Sequence, residues 1–372
     1  MDRRGFLLGS ATASLALPGC ATTAARTAAA PAPTGCLPPV LVSPGRVIRT
    51  LAGLRPYRAG GFVVRRAALG DKALVHNYGH GGAGITLSWG TARLAADLGL
   101  PGHSGPVAVL GAGVIGLTTA RLVQDAGFPV TLYAAALPPD TTSNIAGGYW
   151  SPFGHYREGA VTPEWRAQSA AALDHSWRRF QIMVGDDWGV RWLPTYAESA
   201  GGSGPGDAFH PGYRQLAPSE HPFPLATVAR YEAMYIEPGR FLRQLMRDIH
   251  LAGGRFAIRR FATPADVAAL PEKLVFNCTG LGARELFGDT GLEPVRGQLA
   301  ILLPQPEVRY AFTGQAATCS PAPTASSSAA PSSAANLRPR PSRRTSPASS
   351  PPTPGSSPPS AAPLDSARLG AI

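Results

Sequence analysis

The chain has 372 residues, 44% of them hydrophobic and 15% charged, which is length and apolar content enough for a well-formed core in one large unit or two domains. Its formal charge of +11 rests on 34 basic residues, all arginine except Lys72 and Lys273. They are scattered, with no helical stripe and no interleaved aromatic residues, so the charge reflects composition rather than a phosphate-tracking surface, and nucleic acid is excluded as a partner.

The first twenty residues carry Arg3 and Arg4, then an apolar stretch from Phe6 to Leu17 that is too short to span a bilayer as a mature helix. This is the pattern of an export signal. The paired arginines followed by Phe6 and Leu7 are of the twin-arginine type, which predicts a periplasmic or membrane-anchored protein exported already folded. Leu17-Pro18-Gly19-Cys20 resembles a lipobox with Cys20 as the acylated residue, and simple cleavage within the Ala/Thr-rich stretch 21–34 is the alternative. Residues 1–36 are thus read as signal and tether, with the fold starting at Leu37. The four cysteines, at 20, 36, 278 and 319, have no ligand-like spacing, so neither a metal site nor a disulfide framework is expected, and Cys278 reads as a small buried side chain in a strand.

From Val47 the chain offers an apolar run, the segment GLRPYR (53–58), a strand-like ALVHNY, the glycine run HNYGHGGAG (76–84) and a helix, TLSWGTARLAADLG. The linker LPGHSGP (100–106) leads into VAVLGAGVIGLTTARL (107–122), a buried strand, a glycine turn and a helix. PVTLYA then closes a βαβ opening. Residues 156–235 have several Trp and Pro and little clean periodicity, and are assigned to a substrate domain. IEPGRFLRQLMRDIHLAGG (236–254) predicts a helix ended by glycine, and KLVFNCTG (273–280) a buried strand entering another glycine turn. The implied organisation is 37–100, a βαβ segment 107–155, 156–235, 236–318 and a tail 319–372. The fold class is α/β, a Rossmann-like dinucleotide domain joined to a mixed-sheet substrate domain.

Residues 320–372 are almost wholly Ser, Pro, Ala, Thr and Arg, with no aromatic residue and no apolar period, a composition that cannot offset its ordering entropy. Two readings stay open: a natural disordered tail, or an altered reading frame. Read one nucleotide earlier, Cys319 to Ala335 permits Met-Phe-Pro-Arg-Pro-Asp-Gly-Ile-Leu-Leu-Gly-Gly-Thr-Phe-Glu-Arg-Gly, a strand-like pattern that the present tail lacks.

Gly111, Gly113 and Gly116 follow a buried strand and open a helix, the context a dinucleotide fingerprint requires. The first permits the tight turn, the second close approach of backbone to a pyrophosphate, and the third helix-on-strand packing. The N–H groups of Ala112, Val114 and Ile115 stand at the positive helix end. The bland alternative is a βα turn without ligand. An acidic residue is expected at the end of the second strand to hold the ribose, but Ala135 stands there and Asp140 is a distant substitute.

Four segments together resemble the D-amino-acid oxidase family: PPDTTSNIAGGYWSP (138–152), FNCTGLGARELFGD with PVRGQ (276–298), HNYGHGGAGITLSWG (76–90) and GLRPYR. The resemblance covers Val47 to Thr318, in a permuted segment order, since the carboxylate arginine and the closing FAD motif precede the Rossmann strand. It implies FAD, with contacts from Thr141, Thr142, Gly147, Gly148, Thr279 and Gly280. Gly81, Gly82, Gly84, Ile85 and Thr86 would face a ring edge, where a helix N-terminus favours negative charge. It also implies Arg55 as the partner of a D-amino-acid carboxylate, a role suited to a planar bidentate donor. The expected chemistry is hydride transfer from Cα to flavin N5, giving an imino and then a 2-oxo acid, with dioxygen or another acceptor reoxidising the flavin. An NAD-dependent Rossmann dehydrogenase is disfavoured by the flavin motifs, and an inactive product of a disrupted gene is the competing reading. His76 and His80 read as locally hydrogen-bonded rather than proton-transferring groups.

Overall fold

In the computed structural model the described residues are 37–198, 209–314, 318–320 and 326–329. In chain order they give β1 (Val47–Arg58), the hairpin β2 (Val63–Leu69) and β3 (Lys72–Tyr78), α1 (Gly84–Gly99), β4 (Val107–Leu110), α2 (Val114–Asp125) and β5 (Val130–Ala134). Then come α3 (Pro163–Gln181), β6 (Val190–Glu198), β7 (Arg214–Leu216), β8 (Val228–Ile236), α4 (Pro238–Leu251), β9 (Arg255–Ile258), α5 (Pro264–Ala268) and β10 (Leu274–Asn277). The chain continues through α6 (Gly282–Phe287), β11 (Leu292–Leu302), β12 (Ala311–Thr313), β13 (Thr318–Ser320) and β14 (Ser326–Ala329).

One sheet runs β2-β3-β10-β4-β5-β9, parallel except for β2, which pairs antiparallel with β3. All residues of β4 and β10 are buried, as strands covered on both faces must be, and this is why both read as unbroken apolar runs. One face packs on α1, α2 and α4 through Leu87, Leu117, Val123, Leu245 and their neighbours. The other carries a smaller cluster that joins Leu74, Leu110 and Val275 to Val267 of α5 and Leu286 of α6.

α3 supplies order where the sequence offered little. Thr162 accepts a hydrogen bond from Trp165 N, Pro163 stands at the first turn, and Arg178 and Arg179 close the last. It crosses α1 closely: a Cβ added at Gly90 would lie 1.9 Å from the Ala172 carbonyl oxygen, and Gly90 N donates to Ser176 Oγ at 2.8 Å. The helix expected from Ile236 starts instead at Pro238, because Ile236 belongs to β8, where its N–H donates to Gly148 O.

The second sheet is mixed, in the order β1-β11-β14-β13-β12-β6-β8-β7. β1 lies antiparallel to β11 with Gly53 opposite Gly297 and Arg55 opposite Val295. Where composition gave no strand, β13 and β14 are strands: β14 pairs with β11, Leu299 opposite Ala329, and also with β13. Backbone ladders form through N–H and C=O groups that every residue except proline carries in full, so short strands need no apolar period. The remainder of the tail and the export-signal region lie outside the described residues.

Candidate active site

Three glycine-bearing turns leave the carboxyl ends of β3, β10 and β4, and β10 lies between the other two. The two glycine runs, far apart in function if read along the chain, therefore meet at one edge of the parallel sheet, the edge where α/β sheets bind ligands. A cavity of about 580 Å³ opens there.

Its floor is the turn after β4. Gly111 has φ +102° and an added Cβ would lie 2.5 Å from Cys278 O, so no side chain fits. Ala112, Gly113, Val114 and Ile115 line the cavity beside it. Gly116 alone among the expected cofactor residues does not. Its added Cβ would meet Gly111 O at 1.9 Å, so it serves helix-on-strand packing. Ser143 was not anticipated: its Oγ accepts from Val114 N at 2.9 Å, leaving the hydroxyl proton free to be donated onward from the helix N-terminus. Nothing but tertiary proximity marks this serine.

Thr141, Thr142, Gly147 and Gly148 line the same space, as do Ala135 and Asp140 near the end of β5. Gly148 has φ +75° and an added Cβ would lie 1.9 Å from Ile236 O. Thr279 and Gly280 follow β10, the threonine hydroxyl donating to Asn277 Oδ1 at 2.7 Å. Gly81, Gly82, Gly84, Ile85 and Thr86 complete the wall at the start of α1, and Thr86 Oγ1 accepts from Ser151 N at 3.0 Å. Asn77 lines the cavity too. It is fully buried, its Nδ2 donates to Thr119 Oγ1 at 3.2 Å, and its Oδ1 has no partner among the described residues.

At the far wall Arg55 reaches in from β1. A Cβ at Gly297 would lie 2.9 Å from Arg55 Nε, so the guanidinium occupies room that this glycine leaves, while Gly82 lies in ordinary contact with the Arg55 stem. The side chain is partly buried and has no ion-pair or hydrogen-bond partner among the described residues, and burial holds its pKa below the ordinary arginine value. The neighbouring Arg58 contrasts with it: Nε donates to Asp289 at 2.9 Å, and Tyr78 Oη donates to the same carboxylate at 2.8 Å. This cluster ties the end of β1 to the turn before β11. Burial raises the Asp289 pKa, but Arg58 and Tyr78 outweigh it and hold the carboxyl below its usual range. Burial lifts the Tyr78 hydroxyl to about 12.

His76 and His80 each have a polar partner close by, and His80 also lines the cavity. His76 Nδ1 lies 3.0 Å from Asn277 Nδ2 and His80 Nε2 lies 3.0 Å from Thr91 Oγ1. Burial lowers their pKa values to about 4 and about 3. Cys278 is buried as expected, its thiol pushed up to about 12 by burial. Tyr310 lies away from the cavity and donates to Pro38 O at 2.9 Å. Tyr149, which the sequence does not single out, lines the cavity together with Tyr78 and Phe153. Its hydroxyl stands 3.0 Å from His210 Nε2 and 3.2 Å from Tyr231 Oη, and its ring stacks on Tyr235.

A glycine-lined cradle too tight for side chains, two helix N-termini and a buried orphan acceptor fit a dinucleotide lying across the sheet edge, with a cationic end at Arg55. That defines a dinucleotide-binding oxidoreductase class. Residues 22–98 and 106–345 match the DAO family, FAD dependent oxidoreductase, and the chain belongs to that family, with FAD as its cofactor. Among curated proteins it is 33% identical over 203 residues to a D-amino-acid oxidase of Streptomyces coelicolor, covering 54% of this chain and 60% of that one. It is 31% identical over 199 residues to a D-amino-acid oxidase of Rubrobacter xylanophilus, covering 51% and 57%. The chain thus spans about three fifths of the length of the curated relatives it matches. Among solved structures, an L-amino acid deaminase from Proteus vulgaris is similar with a TM-score of 0.44 and 12% identity, covering 61% of each chain.

Proposed function

We propose that this protein oxidises D-amino acids to imino acids, which hydrolyse to 2-oxo acids and ammonia. The observation that carries the reading is Arg55, a partly buried guanidinium with no partner among the described residues, at the wall of a cavity otherwise built from cofactor-type turns. Paired with the substrate carboxylate, Arg55 fixes one end of the amino acid, and the glycine at 297 leaves room for that pairing. When bound, FAD supplies the hydride acceptor at N5 and passes the electrons to dioxygen or another acceptor. The N-terminus of α1, at Gly84, turns positive potential toward the ring edge, and the turn of Gly111 to Ile115, helped by Ser143, receives the pyrophosphate. With Ala135 at the expected ribose position, ribose binding departs from the acidic pattern, and Asp140 on the cavity wall is the remaining carboxylate there. No acid/base side chain is required, because orientation and a low-dielectric cavity carry the transfer.

The chain order is proposed to be a permuted form of the family fold. In support, the family match breaks between 98 and 106, at the segment that joins α1 to β4. The Arg3-Arg4 signal supports export through the twin-arginine route and a periplasmic or Cys20-anchored location. Purified protein should be yellow and should bleach when mixed anaerobically with a D-amino acid. Yellow protein that keeps its colour with a panel of D-amino acids, but bleaches with another amine, would reject the substrate assignment. Peroxide formation on admitting air separates an oxidase from a dehydrogenase.

A further inference from the structure

β13 and β14 are interior strands of the mixed sheet, lying between β12 and β11. Interior strands in such a sheet turn at least one face to a packed layer and are normally rich in β-branched or aromatic residues. Here the positions are Thr318-Cys319-Ser320 and Ser326-Ser327-Ser328-Ala329. The backbone ladder can form from these residues, but the apolar face expected of interior strands is missing from them.

The codons supply it in another frame. Read one nucleotide earlier, each position keeps the first two bases of its present codon as its last two, and only the first base is free. A cysteine codon then gives Leu, Met or Val, and a serine codon of the TCN box gives Phe, Leu, Ile or Val. Position 319 becomes apolar whatever the free base is, and positions 320, 326, 327 and 328 do so wherever their serine codons are of the TCN box, together five of the six strand positions after Thr318. Position 329 permits Gly. Between the strands the same reading permits Pro at 321 and 323 and Asp-Gly at 324–325, the dipeptide that most favours a tight connection between antiparallel strands. Strand residues fall where the sheet has strands, and turn residues fall in the gap between them.

We infer that the working form of this protein is encoded one nucleotide earlier after Thr318, and that its β13 and β14 are apolar strands completing the sheet beside the active site. The consequence reaches the cavity, because Ala329 pairs with Leu299, one of the residues that line it. The wall that neighbours Arg55 and Gly297 is thus continued by chain from the other frame.

Resequencing the gene across codons 310–372 tests this directly. One nucleotide more, or two fewer, just upstream of codon 319 is the expected result, and an uninterrupted present frame through codon 372 overturns the inference. A second measurement compares the chain as it stands with the chain whose frame is shifted at codon 319. The shifted protein should melt higher by roughly 5 °C or more, with its flavin content unchanged. Equal melting would overturn the structural half of the inference. Because the flavin of the present chain is read separately from its absorbance, these outcomes are distinguishable from failure of the oxidase reading.

Discussion

Replacing Arg55 with methionine keeps most of its apolar stem, removes the fork, and tests the substrate assignment. Arg55 makes no hydrogen bond or ion pair among the described residues, so the loss should leave the fold nearly undisturbed, in contrast to Arg58, whose removal would strand Asp289. Two charge-assisted hydrogen bonds to a carboxylate contribute about 1.5–3 kcal/mol each, and partial solvent screening brings the pair to about 3 kcal/mol. At about 1.4 kcal/mol per decade, that is a weakening of amino-acid binding on the order of 100-fold. Lysine at the same position keeps the charge without the bidentate geometry and should recover roughly a tenth of the lost affinity. The assay is anaerobic titration of the flavin absorbance with a D-amino acid, alongside thermal melting and flavin content. Flavin content and melting should match the parent within error. Substrate binding within threefold of the parent, with flavin intact, would refute the assignment of Arg55 as the carboxylate partner.

Gly148→Ala should abolish recovery of flavin-loaded protein, because the added Cβ meets Ile236 O at 1.9 Å on a backbone at φ +75°. Gly102→Ala, also at positive φ but with nothing within 4 Å, should cost only about 1 kcal/mol in a denaturant melt. Acid should destabilise the fold early. His76, His80 and His155 have folded pKa values near 4, 3 and 4 against 6.5 when unfolded, so the unfolded chain binds more protons and stability falls as pH drops through that window. Each loses about 2 kcal/mol between pH 7 and pH 5. Urea melts at the two values should therefore differ by more than one histidine's share, and equal midpoints would count against buried neutral imidazoles. Asp289 adds to the loss at lower pH: its depressed folded pKa contributes stability above the ordinary carboxylate range that disappears as pH falls through the folded value. Asp289→Asn should accordingly flatten the acid limb of the melting profile below about pH 4, where an ordinary carboxylate titrates. Ser143→Ala should weaken FAD retention modestly, by about 1 kcal/mol, through the lost partner of Val114 N.

What the sequence made legible follows from where burial is two-sided. β4 and β10 are buried at every position, so they appear as unbroken apolar runs followed by glycine, and both were placed correctly along with the turns that leave them. α3 failed to show for the opposite reason. Its buried stripe is Ser169, Ala172, Ser176 and Phe180, three small residues and one large one, since α1 comes so close at Gly90 that larger side chains would not fit. A reading that weighs apolar periodicity is blind to a helix face built from serine and alanine. Ser143, Asn77 and Tyr149 were missed on different grounds: each is an ordinary polar or aromatic residue whose partner, Val114, Thr119 or His210, is set only by tertiary folding.

The convergence of the glycine runs depends on sheet order rather than chain order. β3 and β4 need only flank β10 for the turns after Tyr78 and Leu110 to face each other, and the hydrogen-bond registers that hold them, His76 to Asn277 and Asn277 to Leu110, are local to those strands. Joining α1 to β4 through residues 100–106 leaves both registers untouched, so this chain order brings both glycine turns to one FAD site. The same independence does not extend to the second sheet. There Arg55 is aimed by the pairing of β1 with β11, and β11 has β14 on its other side, so the geometry of the substrate end depends on chain beyond Cys319 in a way the cofactor end does not. A defect confined to the tail should therefore show first as weakened substrate binding in protein that still holds flavin.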